Sequence, residues 1–264
     1  MYKARLAHAA TPANKSALYD PGMSKSTRAG VDPQTFDRFA SDYDRFCGLQ
    51  EVSDWPWMEA AGVRGGSRAL DVGCGAGRRT LELADHYDVV VGLDLSRPLV
   101  ELASERRSAP TVRYLCCDLL DYNDSDGFDL VYSHTTLHHV ADLSASLQHL
   151  RTLVAPGGSA VLVDCVAPRP TPPAWVYRVG ALQALPSDVR QHGWRDAEWL
   201  LKFKWAGPWL DHLTTDTYLS ASEFRDQYGA VFPSGSFVDI GLLAIVWQRD
   251  MDERRCRSSA TARS

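Results

Sequence analysis

A chain of 264 residues, 45% hydrophobic and 23% charged, is long enough for one large α/β domain, or for one domain with an inserted cap. The formal net charge of −5 argues against a nucleic-acid substrate, which selects a basic face. No apolar run reaches the length of about 18 residues that a membrane span needs, and the start lacks a signal-peptide core.

Residues 1–30 are rich in Ala, Ser, Thr, Lys and Pro, without periodicity, and are expected to be disordered. Met23 is an alternative start. Asp32-Pro33 has the form of a helix N-cap followed by proline at the first helical position. Phe36, Phe39, Ala40, Tyr43 and Phe46 then recur at helical spacing and predict a core-facing helix.

Residues 69–80 carry the most informative pattern. An apolar strand ends in Asp71, three glycines alternate at Gly73, Gly75 and Gly77, and a helical pattern follows from Arg79. Such a turn marks a nucleotide-like ligand at the carboxyl end of a parallel sheet. The spacing excludes the dinucleotide fingerprint G-x-G-x-x-G, whose last position falls on Arg78 or Thr80.

Further strands follow, each ending in chemistry. Val89 to Leu93 ends at Asp94, followed by Leu95; an acid about 20 residues past the glycines can accept from ribose hydroxyls. Val112 to Cys117 ends at Asp118-Leu119, and Phe128 to Ser133 runs into His134-Thr135-Thr136-Leu137-His138-His139. Pro156-Gly157-Gly158 turns into a strand that ends at Asp164-Cys165. Strands alternating with helices from Gly66 to Cys165 predict a parallel, doubly wound α/β sheet. The six cysteines (Cys47, Cys74, Cys116, Cys117, Cys165, Cys256) make no C-x-x-C pair; most fall in expected buried strands or turns, and a reducing cytoplasm fits them. Cys116 and Cys117 point to opposite faces of a strand, and no metal centre is expected.

Residues 167–233 break the rhythm. They open with a proline cluster and hold five of the eight tryptophans, Trp175, Trp194, Trp199, Trp205 and Trp209. Gly207-Pro208 is expected to split the helical pattern, and Ser220 to Glu223 forms a capping box before another helix. Phe237 to Gln248, broken at Gly241, reads as a closing pair of antiparallel strands, and a disordered tail is expected over 250–264.

The spacing D-x-G-x-G-x-G, followed in order by Asp94, Asp118, Phe128 to Ser133 and the Pro156 turn, resembles the class I S-adenosylmethionine (SAM)-dependent methyltransferases. Within that class the chain is most similar to the small-molecule type of quinone and natural-product biosynthesis. The resemblance covers roughly Phe36 to Cys165 and the last strand. It implies a Rossmann-like seven-stranded sheet, mostly parallel with an antiparallel last strand, plus a helical cap after the fifth strand. It implies a domain over 31–249.

The resemblance also implies site roles. Asp71 and the loop Gly73, Cys74, Gly75 and Gly77 would lie against the amino-acid end of SAM. Asp94 and Leu95 would take the ribose, Cys117, Asp118 and Leu119 the adenine, and carbonyls near Ser133 and His134 the methionine amine. Tyr43 would cover the cofactor. His134 and His138 are candidate bases, since imidazole titrates near neutral pH, with Asp164 facing the acceptor; His139, His192 and His212 carry a weaker warrant. Asp71 and Asp118 also read as plain turn or cap acids.

The tryptophan-rich insert reads both as satellite core and as an apolar acceptor pocket. The fourth-strand motif lacks the Asn/Asp-Pro-Pro-aromatic signature of nucleic-acid amine methylation. The expected function is therefore methyl transfer from SAM to a small aromatic or apolar acceptor at oxygen or carbon, with monomer and homodimer both open. The alternative is a SAM-binding cyclase, decarboxylase or non-catalytic interaction module.

Overall fold

The computed structural model describes residues 35–50, 52–167, 172–216 and 218–251. The expectations for 1–30, the Asp32-Pro33 cap, Cys256 and the tail from 252 fall outside them.

A seven-stranded sheet runs in the order β3-β2-β1-β4-β5-β7-β6. It is built from β1 (Gly66–Val72), β2 (Tyr87–Asp94), β3 (Val112–Cys116), β4 (Phe128–His134), β5 (Val154–Asp164), β6 (Ser236–Asp239) and β7 (Leu243–Gln248). The pairs among β1 to β5 are parallel, and β7 runs antiparallel to both β5 and β6. This is the Rossmann-like architecture with an antiparallel last strand. Its middle strands are apolar almost throughout because helices cover both faces. Leu70, Val131 and Leu162 pack on one face and Ala69, Leu130 and Val161 on the other, all fully buried.

The helices of the first half are α1 (Ala40–Leu49), α2 (Trp55–Ala60), α3 (Arg78–Leu83), α4 (Arg97–Arg106) and α5 (Leu143–Leu153). The cap comprises α6 (Ala174–Trp205) and α7 (Gly207–Thr215), and α8 (Ala221–Val231) returns the chain to the sheet. The expected break at Gly207-Pro208 separates α6 from α7. Ser220 and Glu223 make the expected capping box at the start of α8. Gly193 interrupts α6 with φ 79° and ψ 170°, and Lys204 reaches back 2.9 Å to Asp188 on the earlier half.

Three expectations need correction. The helix read from Phe36 onward is split: a 3-10 turn over Thr35–Arg38 precedes α1, and Phe39 leaves helical geometry at φ −143° and ψ 29°. The bend lets the Phe36 ring reach His139 and His212 while α1 lies along α4 and α6. Of the five described cysteines only Cys74 is buried, and Cys116 is exposed because β3 is an edge strand. Trp175 and Trp194 face solvent at 64% and 71% exposure, so the tryptophans of the insert do not all turn inward.

The element over the sheet's carboxyl edge is fastened by charge. Asp44 on α1 is buried at 2% exposure and meets Arg78 at 2.9 Å, Arg106 at 2.8 Å and Arg107 at 2.8 Å. Burial alone would raise its carboxyl pKa, but hydrogen bonds and charge from Arg106, Arg107 and Arg78 outweigh burial and hold it below the usual range. Asp44→Ala leaves three guanidinium groups around a vacated carboxylate and is expected to cost about 3 kcal/mol, the low end for breaking a buried pair because Arg106 reaches solvent. A depressed pKa gives stability that is present above the unfolded value of about 3.9 and lost as pH falls through the folded value. The gap between wild type and variant in urea unfolding should therefore be full near pH 7 and close below about pH 4.

Candidate active site

The glycine loop sits where the sheet changes direction, since β1 lies between β2 on one side and β4 on the other. Register brings Asp71 beside Gly92 and Tyr132, and Val72 beside Ser133, so the ends of β1, β2 and β4 share one edge. Gly73, Gly75 and Gly77 all have positive φ, at 74°, 53° and 83°. A Cβ on Gly73 would lie 2.1 Å from Thr136 Oγ1, and one on Gly77 would strike the Tyr114 ring. Gly75 is different. Nothing lies within 4 Å of where its Cβ would stand, so the loop opens there onto free space.

Asp94 closes the loop from β2. Its Oδ2 accepts from the Gly75 amide and its Oδ1 from the Ser96 amide, each at 2.8 Å. Burial pushes its pKa up, against the pull of those amides. Leu95, next to it, accepts at its carbonyl from Cys116 Sγ. Asp71 lies deeper, at 2% exposure, with Thr80 Oγ1 donating to it at 2.6 Å, and burial pushes its carboxyl up to about 7. Cys74 packs below with Val100 and Tyr114. Asp118 caps a 3-10 turn over Leu119–Asp121 by accepting from the Leu120 amide, Leu119 is buried in the main core, and the Cys117 amide bonds the Asp94 carbonyl. Ser133 is fully buried, with its hydroxyl on the Val72 carbonyl.

Tyr43 sits against Phe36, Phe46 and Trp209. Burial, with Cys47 and Asp94 nearby, raises its phenol pKa well above the usual range. Asp37 accepts from Ser96 Oγ at 2.6 Å, so the turn before α1 is latched to the end of β2. On the cap, Phe203 and Trp209 stack near Phe46 and Phe39, completing an aromatic wall. The wall uses one tryptophan of the insert directly. Trp199 instead stacks on Phe203 and under Arg45, which also pairs with Asp196 and ties α1 to α6.

The two candidate bases part company. His134 shares a strand face with Tyr132 and turns toward Asp54, 3.5 Å from its Oδ2, where Tyr132 and Trp57 also donate and Arg79 adds charge. Burial lowers its pKa. His138 turns the other way: its Nδ1 is 2.5 Å from Asp164 Oδ1, and Asp164, at 3% exposure, also accepts from the Cys165 amide. Around it gather His139, with Nδ1 3.4 Å from Asp216 Oδ1, and His212, with Nε2 3.3 Å from Asp216 Oδ2. Tyr218 donates to Asp216 at 3.0 Å. Burial pushes His212 down to about 4, while bonding and charge from His139 and His212 outweigh burial and keep Asp216 below the usual carboxylate range.

Asp216 is the site residue that spacing could not find. It sits just past α7, far along the chain from the His138 turn, and its only local signal is its i,i+4 relation to His212. Asp54 and Arg79 are likewise joined to His134 only by the fold.

Fold and loop together define the class I SAM-dependent methyltransferases. Residues 70–162 match the family model described as "Methyltransferase domain". The chain is 33% identical over 125 residues to an uncharacterized methyltransferase of Mycobacterium bovis, a stretch that is 44% of this chain and 64% of that protein. It is 31% identical over 169 residues to the malonyl-[acyl-carrier protein] O-methyltransferase of Salmonella typhimurium, 61% of this chain and 66% of that enzyme. The matches thus span just under two thirds of these relatives' lengths. Among solved structures, the DhpI–SAH complex shares the fold with a TM-score of 0.53 at 21% identity, over 85% of this chain and 98% of that one. The chain carries a class I SAM-dependent methyltransferase domain. Among its described residues no helix is long and apolar enough to cross a membrane.

Proposed function

We propose that this chain moves a methyl group from SAM to a hydroxyl oxygen of a small aromatic or apolar acceptor. The carrying observation is that an aromatic wall (Phe36, Tyr43, Phe203, Trp209) meets a histidine–carboxylate cluster (His138, His139, Asp164, Asp216) beside the open glycine loop.

The loop fits the donor. Open space beside Gly75 leaves room for a ligand against backbone, and Asp94, fixed by two amides, keeps lone pairs for two ribose hydroxyls. Asp71, Gly73, Cys74 and Gly77 shape the floor of that space, with the carbonyls near Ser133 and His134 at its far edge. Leu95, Cys117, Asp118 and Leu119 frame its adenine end, Asp118 doing so as the cap that fixes the turn. When bound, the sulfonium supplies an electrophilic methyl group. Tyr43 and its aromatic neighbours exclude water from the acceptor side and hold an apolar ring. The cluster around His138 handles the acceptor's acidic hydrogen. That preference for oxygen over carbon rests on the cluster itself, which can take a hydroxyl proton as the oxygen attacks, whereas an electron-rich carbon attacks first and sheds its proton afterwards. His134, on the opposite face of β4 against Asp54, is assigned to holding the cofactor edge.

We place the protein in a reducing cytoplasm, acting on a small molecule and not on nucleic acid. The five described cysteines are free thiols, in keeping with that compartment.

Asp94→Ala frees the Gly75 and Ser96 amides and removes the ribose acceptor. SAM binding is expected to weaken by about 1–3 kcal/mol, roughly 5- to 150-fold in Kd by calorimetry. Incubating the full chain with methyl-labelled SAM and a panel of hydroxylated aromatics tests the activity. Label should appear on oxygen of at least one apolar phenol. Cofactor binding with no transfer to any of them would support the non-methylating alternative.

A further inference from the structure

His138 and His139 leave the end of β4 on a 3-10 turn over Leu137–His139, and Asp216 follows α7 of the cap. One ligand atom each from His138, His139 and Asp216 lies within 4.8 Å of the other two. His139 Nδ1 is 3.4 Å from Asp216 Oδ1, and His138 Nε2 is 3.9 Å from Asp216 Oδ2. A zinc ion bound at 2.0–2.1 Å in tetrahedral geometry holds its ligand atoms about 3.3–3.4 Å apart. His139 already stands at that spacing from Asp216 Oδ1, while His138 faces the other carboxylate oxygen and would close by about half an ångström on a shared ion.

The orientation of His138 sharpens this. Its Nδ1 sits 2.5 Å from the Asp164 carboxylate, so Nδ1 carries a hydrogen and Nε2 is the ring atom turned toward Asp216. Both outer partners of a metal site are in place: Asp164 orients His138, and Tyr218 donates to Asp216 at 3.0 Å. His212 adds a third imidazole, 3.3 Å from Asp216 Oδ2. All three ligand side chains are largely shielded, at 5%, 19% and 6% exposure.

We propose that His138, His139 and Asp216 bind one divalent transition ion of the zinc type, with a fourth position open to the acceptor's oxygen. Two nitrogens, one oxygen and an open position make a catalytic rather than a purely structural donor set. The ion joins the cap to the end of the sheet, since its ligands come from both. The acceptor role rests on the function proposed above; the ion's presence does not.

The test is metal binding by the full chain, with no acceptor present. The protein is stripped with a chelator, titrated with Zn²⁺, desalted and assayed by mass spectrometry, then repeated with Co²⁺ to read its visible absorption. One zinc per chain is expected, with a tetrahedral-type cobalt spectrum, falling by half or more in both His139→Ala and Asp216→Asn. Each variant is first shown to be folded by circular dichroism, and its SAM affinity is measured separately. Any other loading pattern, including zinc retained by either folded variant, overturns the site. Failed zinc binding with intact labelled-methyl transfer would leave the methyltransferase reading standing and remove only the ion.

Discussion

Gly73→Ala is expected to reduce SAM affinity at least about 100-fold and to lower thermal stability as well. Two costs combine. The backbone at Gly73 has φ 74°, and an L-residue in that left-handed region costs about 1–2 kcal/mol. The added Cβ would stand 2.1 Å from Thr136 Oγ1 and 2.5 Å from Thr136 Cβ. Thr136 cannot simply swing away, because its hydroxyl bonds the His134 carbonyl at 3.1 Å and its neighbour Thr135 is already held at φ 51°. The clash therefore moves the loop or the end of β4, the two walls of the cofactor space. The double variant Gly73→Ala/Thr136→Gly removes the obstruction but not the φ penalty. Calorimetry and thermal melts should show it recovering part of both losses, a coupling that a general folding defect would not produce.

The second large effect is on turnover. His138→Ala is expected to lower kcat by about 10²–10⁴-fold, the range for general acid–base help, because the cluster of His139, Asp164 and Asp216 that handles the acceptor's hydrogen loses its central member. SAM Kd should stay within about twofold, because Asp94 and the glycine loop are untouched. The contrast with His134→Ala is the informative one. His134 lies against Asp54 and Arg79 on the other face of β4, so its loss should act on cofactor affinity and stability more than on kcat. Steady-state kinetics beside calorimetry separates the two. Equal kcat losses in both variants would return His134 to the acceptor side.

The glycine turn and the acid that closes it were legible in the chain because their determinants are local. Asp71 to Gly77 must fold as one strand-turn unit, and Asp94 follows at the distance that one helix and one strand impose. The sheet order and the closing antiparallel strands were legible for the same reason: apolar strands and turns alternate in chain order. The acceptor half was not. His138 meets Asp164 and Asp216 only once β4, β5 and the cap come together. A count of tryptophans could not separate Trp209, on the aromatic wall, from Trp175 and Trp194, which face solvent. Spacing also could not split His134 from His138, because the 3-10 turn over Leu137–His139 sends them to different sides.

The central claim is that the Gly73–Gly77 loop and Asp94 form a SAM site. Isothermal titration of the full chain with SAM, and in parallel with NAD, tests it most directly. The account predicts one SAM per chain with a Kd of roughly micromolar order, about −8 kcal/mol, and no heat with NAD. Saturable NAD binding, or no SAM binding by a folded chain, would contradict it.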